Sequence, residues 1–120
     1  IPDAKVYHKR RTNLFKFFSQ MFKSGKGRRF LDKKYSGTFR IFHFFPSFFV
    51  LGFSLILVFE FLTLDEFFIL NIIYSIYFLT VFIHSSLLNS NPIIGFMSVL
   101  TTITQFLGYG IGYIYGLFRN

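Results

Sequence analysis

The chain has 120 residues, 52% of them hydrophobic, with 21 Phe, no Trp and only 15% charged. That length suits one soluble domain, but small domains bury only a modest part of their surface, so a soluble core cannot hide this much apolar side chain and lipid must take the rest. With no Cys, disulfides and cysteine–zinc sites are excluded.

Charge is divided as sharply as hydropathy. Twelve of the thirteen Lys and Arg lie in residues 1–40 beside two Asp, a net of +10, whereas residues 41–120 hold one Arg and three acids, a net of −2. A basic block abutting long apolar runs places its end of a protein on the cytoplasmic face of a bilayer. The basic residues adjoin the apolar spans, so the expected partner is the lipid bilayer, through anionic lipid or a phosphorylated substrate at its surface. Nucleic acid is not expected.

The chain opens Ile1-Pro2-Asp3-Ala4, with no Met and no signal-peptide layout, and reads as a C-terminal part of a larger protein. Residues 1–11 read as an extended segment, with Pro2 and the strand-like pair Val6-Tyr7. A helical pattern starts at Thr12, with Thr12 or Asn13 as N-cap. Leu14, Phe15, Phe17, Phe18, Met21 and Phe22 fall in an arc of roughly 160°, opposite Lys16, Ser19, Gln20 and Lys23. Such a helix lies in the membrane interface, and Gly25 and Gly27 are expected to end it. Arg28-Arg29-Phe30-Leu31-Asp32-Lys33-Lys34-Tyr35 then forms a second basic cluster, so 12–40 is an amphipathic interfacial helix and basic linker.

Residues 41–118 read as a three-helix transmembrane region, with spans at about 41–62, 67–88 and 92–118. Pro46 kinks the first, His43 sits at its entrance as a residue reaching headgroups, and Glu60 to Glu66 forms a short aqueous turn. Asn89-Ser90-Asn91-Pro92 breaks the long apolar run between the last two. In the last span Thr104, Gly108, Gly112 and Gly116 recur every fourth residue, a small-residue stripe for close helix packing. Its partner helix can belong to this chain or to another. The fold class is therefore all-α membrane: an N-terminal extended segment, an amphipathic interfacial helix, then three transmembrane helices.

No catalytic constellation is visible. There is no Cys nucleophile or Walker-type loop, His8, His43 and His84 lack metal-ligand spacing, and Asp65-Glu66 reads as a solvated turn. His84 reads as a satisfied polar residue within its span, with a functional role left open. What the sequence does offer is a phosphate-compatible surface: His8, Arg10 and Arg11 before the helix, Gln20 on its polar face, and Arg28 and Arg29 after the glycines. Guanidinium forks suit phosphate, whether that phosphate is a substrate diphosphate or an anionic headgroup.

Ile1 to Thr12, followed by Gln20, Gly25 and Arg28 in a Q-x-x-x-x-G-x-x-R pattern, resembles bacterial family 2 glycosyltransferases with a C-terminal membrane region. His43, Pro46, Phe48, Leu51 and Gly52 at the first span, and Gln105 to Gly112 in the last, are similar to that family too. The resemblance implies that 1–11 ends an upstream catalytic domain and that the setting is the bacterial inner membrane, with the basic part cytoplasmic. It implies a nucleotide-sugar donor, a membrane-associated, lipid-linked acceptor and, in the complete enzyme, Mg or Mn. Gln20 and Arg28 would face donor diphosphate or acceptor, with His8, Arg10, Arg11 and Arg29 near the site mouth. Related polymerases carry a tighter Q-x-x-R-W motif; the longer spacing here favours transfer of single sugars. The family's acidic motifs are not among these residues, so no cofactor site and no catalytic residue is expected in this chain. The competing reading is a small non-enzymatic membrane subunit whose basic arm binds anionic lipid or a partner protein.

Overall fold

The computed structural model describes residues 13–35, 37, 40–62 and 68–118. The segment 1–11, with His8, Arg10 and Arg11, lies outside them, as do Asp65 and Glu66. Among the described residues the chain is all-helical: α1 (Leu14–Lys34), a 3₁₀ turn (Ile41–Phe44) running into α2 (Phe45–Phe61), α3 (Phe68–Asn89) and α4 (Pro92–Phe118). Ile41–Phe61, Phe68–Asn89 and Pro92–Phe118 are each long and apolar enough to cross a membrane.

Helix α1 begins at Asn13, which has extended backbone and accepts the Phe15 N–H on its side-chain oxygen at 2.8 Å. Asn caps well because its short amide reaches an amide that has no partner within the helix. The helix does not stop at Gly25 and Gly27 but continues to Lys34, 21 residues in all, so the second basic cluster is its last two turns and not a linker. Two helix-interior glycines cost about 1 kcal/mol each, and tertiary packing decides whether a helix carries that cost. Gly25 is buried here, and a Cβ on it would fall on the Tyr109 carbonyl oxygen and within 2.9 Å of the Tyr113 amide nitrogen. The missing side chain admits α4. Gly27 has open space around it.

Helix α4 is the hub, and it meets each neighbour through glycine. Gly108, Gly112 and Gly116 face α1: a Cβ on Gly108 would lie 2.9 Å from the Phe18 carbonyl oxygen, one on Gly112 would strike the Phe22 carbonyl, and one on Gly116 would lie 3.0 Å from Arg29 Cβ. Gly110 faces α2, where a Cβ would come within 2.6 Å of the Pro46 carbonyl oxygen. Gly95 faces α3, 2.7 Å from the Phe82 carbonyl oxygen on the same measure. The small-residue stripe thus finds its partner inside this chain, and that partner is the basic helix α1. Small residues let backbones approach closely where no hydrophobic force separates helix from lipid.

The break before α4 is a Schellman-type stop. The Asn91 amide donates to the Ser86 carbonyl at 3.0 Å and the Ser90 amide to Leu87 at 3.3 Å, with Ser90 left-handed at φ 50° where glycine is usual. Asn91 then caps α4 by accepting the Ile93 N–H at 2.9 Å, with Pro92 at the first helical position. Pro46 plays the same part for α2: it sits in the first turn of the α-helix after the 3₁₀ turn, where proline is tolerated.

The three apolar helices are not simply side by side. Ser85 and Ser98 hydroxyls are 2.6 Å apart and the Tyr77 and Phe106 rings 6.2 Å, so α3 and α4 pair antiparallel. That register carries Asn71 to about the height of Gly112. Phe44, before α2, packs edge-on against Tyr113 at 5.0 Å, while Glu60, near its end, accepts a hydrogen bond from Asn71. Both ends of α2 therefore sit at similar heights, and α2 lies across the hairpin. Phe49 fastens it there, stacked on Phe106 at 4.4 Å and against Tyr74 at 4.7 Å.

The two α1 glycines should respond oppositely to a methyl group. Gly25→Ala should lower stability by about 1–3 kcal/mol through overpacking against backbone, whereas Gly27→Ala should raise it by up to about 1 kcal/mol. Thermal unfolding in detergent, followed by circular dichroism, reads both. Stabilisation by both substitutions would mean that α4 does not seat on Gly25.

Candidate functional site

The polar centre of the described residues is where the last turns of α1 meet the 3₁₀ turn and α4. One face of α1 carries Phe18, Met21, Phe22 and Gly25 onto α4, and Arg28 and Asp32 continue that face at spacings of three and four. Apolar packing thereby ends in a carboxylate. The Asp32 side chain is fully buried, and its Oδ1 lies 3.3 Å from Arg28 Nε, one turn back. The Tyr113 hydroxyl, on a fully buried side chain of α4, donates to Asp32 Oδ2 at 3.1 Å.

His43 completes the cluster from the 3₁₀ turn. Its Nδ1 accepts the Arg40 backbone N–H at 3.2 Å and Arg28 Nε–H at 3.3 Å. The same nitrogen is 3.5 Å from Asp32 Oδ2, a distance that counts as an ion pair only if Nδ1 carries a proton. Two donors already aim at Nδ1, so the neutral tautomer with the proton on Nε2 fits the hydrogen bonds, and the approach to Asp32 is not a salt bridge. His43 thus ties Arg28 to the turn, where the sequence suggested only a headgroup contact.

The sequence-derived candidates divide around this cluster. Arg28 is half-buried and held by Asp32 and His43. Arg29 is half-buried, with its stem against Gly116 and with no hydrogen-bond partner on its Nε among the described residues. Gln20 is exposed on the opposite side of α1 with Lys16 and Lys23, about 12 Å from Arg28 along the axis. The fold therefore brings Arg28, Arg29 and the glycines Gly108, Gly112 and Gly116 into one interface and leaves Gln20 on the open face. His84 is exposed on α3 and takes no part.

Asp32, His43 and Tyr113 are the members that sequence reasoning did not place. A signal existed for Asp32: it is the lone acid among the basic residues that follow Asn13, four residues after Arg28, a spacing at which helical side chains meet. Ending the helix at Gly25 hid it. Chemically, the cluster is a carboxylate that orders a guanidinium and a phenol and so pins three elements together. Among the described residues no group of three His, Cys, Asp or Glu is placed to hold a metal ion.

Comparison with protein-family models, with curated proteins and with solved structures finds no match. What the chain does has to be read from its own residues.

Asp32→Ala takes one acceptor from the Tyr113 hydroxyl and one from the Arg28 guanidinium, and should cost about 1–3 kcal/mol of stability. Asp32→Asn keeps one acceptor oxygen and should cost less. A double-mutant cycle with Tyr113→Phe should give a coupling of about 0.5 kcal/mol or more; additive losses would show that the two groups do not act together.

Proposed function

We propose that this chain is the membrane-anchoring and acceptor-presenting part of a glycosyltransferase that moves a sugar from a nucleotide-sugar to a membrane-associated, lipid-linked acceptor in envelope polysaccharide synthesis. The observation that carries the proposal is the seating of α1. A basic amphipathic helix that only floated on a bilayer would need no glycines beneath it. This one is clamped to α4 through Gly25, Gly108, Gly112 and Gly116, with Gln20, Lys16 and Lys23 left on the open face. That fixes the polar face of α1 relative to the apolar helices, a surface suited to holding an acceptor for a catalytic domain beside it. The ordered motifs around Gln20, Gly25 and Arg28 support the same reading.

In this proposal Gln20 contacts substrate. Arg28 and Arg29 supply positive charge at the helix end, with Arg28 oriented by Asp32. By the resemblance, His8, Arg10 and Arg11 act near the mouth of the site. The divalent ion, Mg or Mn, and the catalytic acids belong to that domain, so every chemical step takes place outside these residues. The setting is the inner membrane of a bacterium, with α1 on the cytoplasmic side, where the positive charge belongs.

Gln20 gives the cleanest test because it is exposed and has no structural duty in the packing. In the complete enzyme Gln20→Ala should reduce kcat/KM by tenfold or more, a loss of about 1.4 kcal/mol of transition-state binding, with membrane insertion unchanged. Unaltered transfer would remove the acceptor-presenting role and favour a non-enzymatic subunit. For sidedness, Lys23→Cys should react with an impermeant thiol reagent in inverted vesicles and not in right-side-out ones. The opposite pattern would place α1 on the outer face.

A further inference from the structure

Between the first turns of α2 and the start of α3 lies a groove of about 260 Å³, lined by Phe45, Phe48, Phe49, Ile73, Tyr74 and Tyr77. It exists because α2 lies across the hairpin, so its first turns stand off from α3. Ring contacts fix its floor, with Phe49 4.7 Å from Tyr74 and 6.0 Å from Tyr77. Of the two phenols in the lining, the Tyr74 hydroxyl is turned into a hydrogen bond to the Phe49 carbonyl at 2.7 Å. Phe45, Phe48 and Ile73 stand more than half exposed along the walls. The lining is thus almost wholly hydrocarbon, on helices apolar enough to lie in a bilayer.

The groove also has a charged end. Phe45 follows Arg40 by five residues, through the 3₁₀ turn, about 10 Å of chain rise. Arg40 is exposed, and the end of α1 next to His43 adds Arg29, Lys33 and Lys34. The acid among them, Asp32, is buried and offset by its pairing with Arg28. A dry aromatic slot headed by guanidinium and ammonium groups matches one class of membrane component. Phosphate suits the arginine forks, and a flexible chain suits the slot.

We infer that the groove between α2 and α3 holds one hydrocarbon chain of a phosphate-headed anionic lipid, whose head rests on Arg40 and the basic end of α1. Bulk lipid also fills apolar surfaces, but it brings no preference for a negative head. The charge at the mouth makes the site selective. The inference is separate from sugar transfer and concerns the lipid alone.

The chain has no Trp, so a single introduced indole reports its surroundings without background. Phe48→Trp places one on the groove wall, and Leu87→Trp places one on exposed α3 near its other end. The full chain is reconstituted in unbrominated phosphatidylcholine with increasing brominated phosphatidylglycerol or brominated phosphatidylcholine. At Phe48→Trp the anionic lipid should quench at about fivefold lower mole fraction, the factor that about 1 kcal/mol per basic side chain gives. Arg40→Ala should abolish that preference, and Leu87→Trp should show none. Equal quenching by both lipids at Phe48→Trp, or the same anionic preference at Leu87→Trp, overturns the site. Should Phe48→Trp fold poorly, lipid that co-purifies with the Trp-free chain in detergent serves instead. Mass spectrometry should then find phosphatidylglycerol enriched on the unmodified chain and lost from Arg40→Ala, and no enrichment overturns the site equally.

Discussion

The close approach of α1 to α4 is the constraint on which the rest depends. Backbone meets backbone at Gly25 and at Gly112, where a single methyl on either helix would strike a carbonyl of the other. Helices in lipid gain little from hiding apolar side chains from one another, so they associate through such short contacts and through shared polar groups. This pair uses both. The glycines bring the axes together, and only then does Tyr113 on α4 come within 3.1 Å of Asp32 on α1. The polar cluster is a consequence of the packing, and it also sets the register of that packing, because the hydrogen bond forms at one alignment only.

The same approach explains why an acid sits among so many bases. Arg28 lies on the packed face, half-buried, and burying a guanidinium without a partner is costly. Asp32, a turn later, neutralises it and is itself satisfied by Tyr113. A buried charge pair is weak evidence for stability, but it can specify one arrangement over its neighbours. Here the pair, with His43, ties the end of α1 to the start of the first span.

Much of this was legible in the sequence. The three apolar helices at 41–61, 68–89 and 92–118 fall within a residue of the expected spans, because length and hydropathy set them locally. The Asn13 cap and the Asn89–Pro92 break were legible for the same reason: each works within a few residues. The glycine stripe announced a close contact but not its partner, which lies some ninety residues away at Phe18 and Phe22. Gly25 was misread because an isolated sequence shows the cost of glycine in a helix and not the neighbour that offsets it. Gly27, with no neighbour near, shows that the two glycines were never equivalent. Likewise nothing local says that α2 lies across the hairpin, since its direction is set by Phe49 on Phe106 and Ser47 on the Gly110 carbonyl.

The arrangement separates two tasks that a free amphipathic helix must combine. A helix held only by its Phe face rises and tilts with the bilayer, so polar groups on its other face have no fixed position. With Phe18, Met21 and Phe22 committed to α4, α1 takes its position from protein. Positional precision at Gln20 then depends on glycine contacts on the far side of the helix. The residues that govern any chemistry at this surface therefore include ones that no substrate touches, with Gly25 and Gly112 first among them.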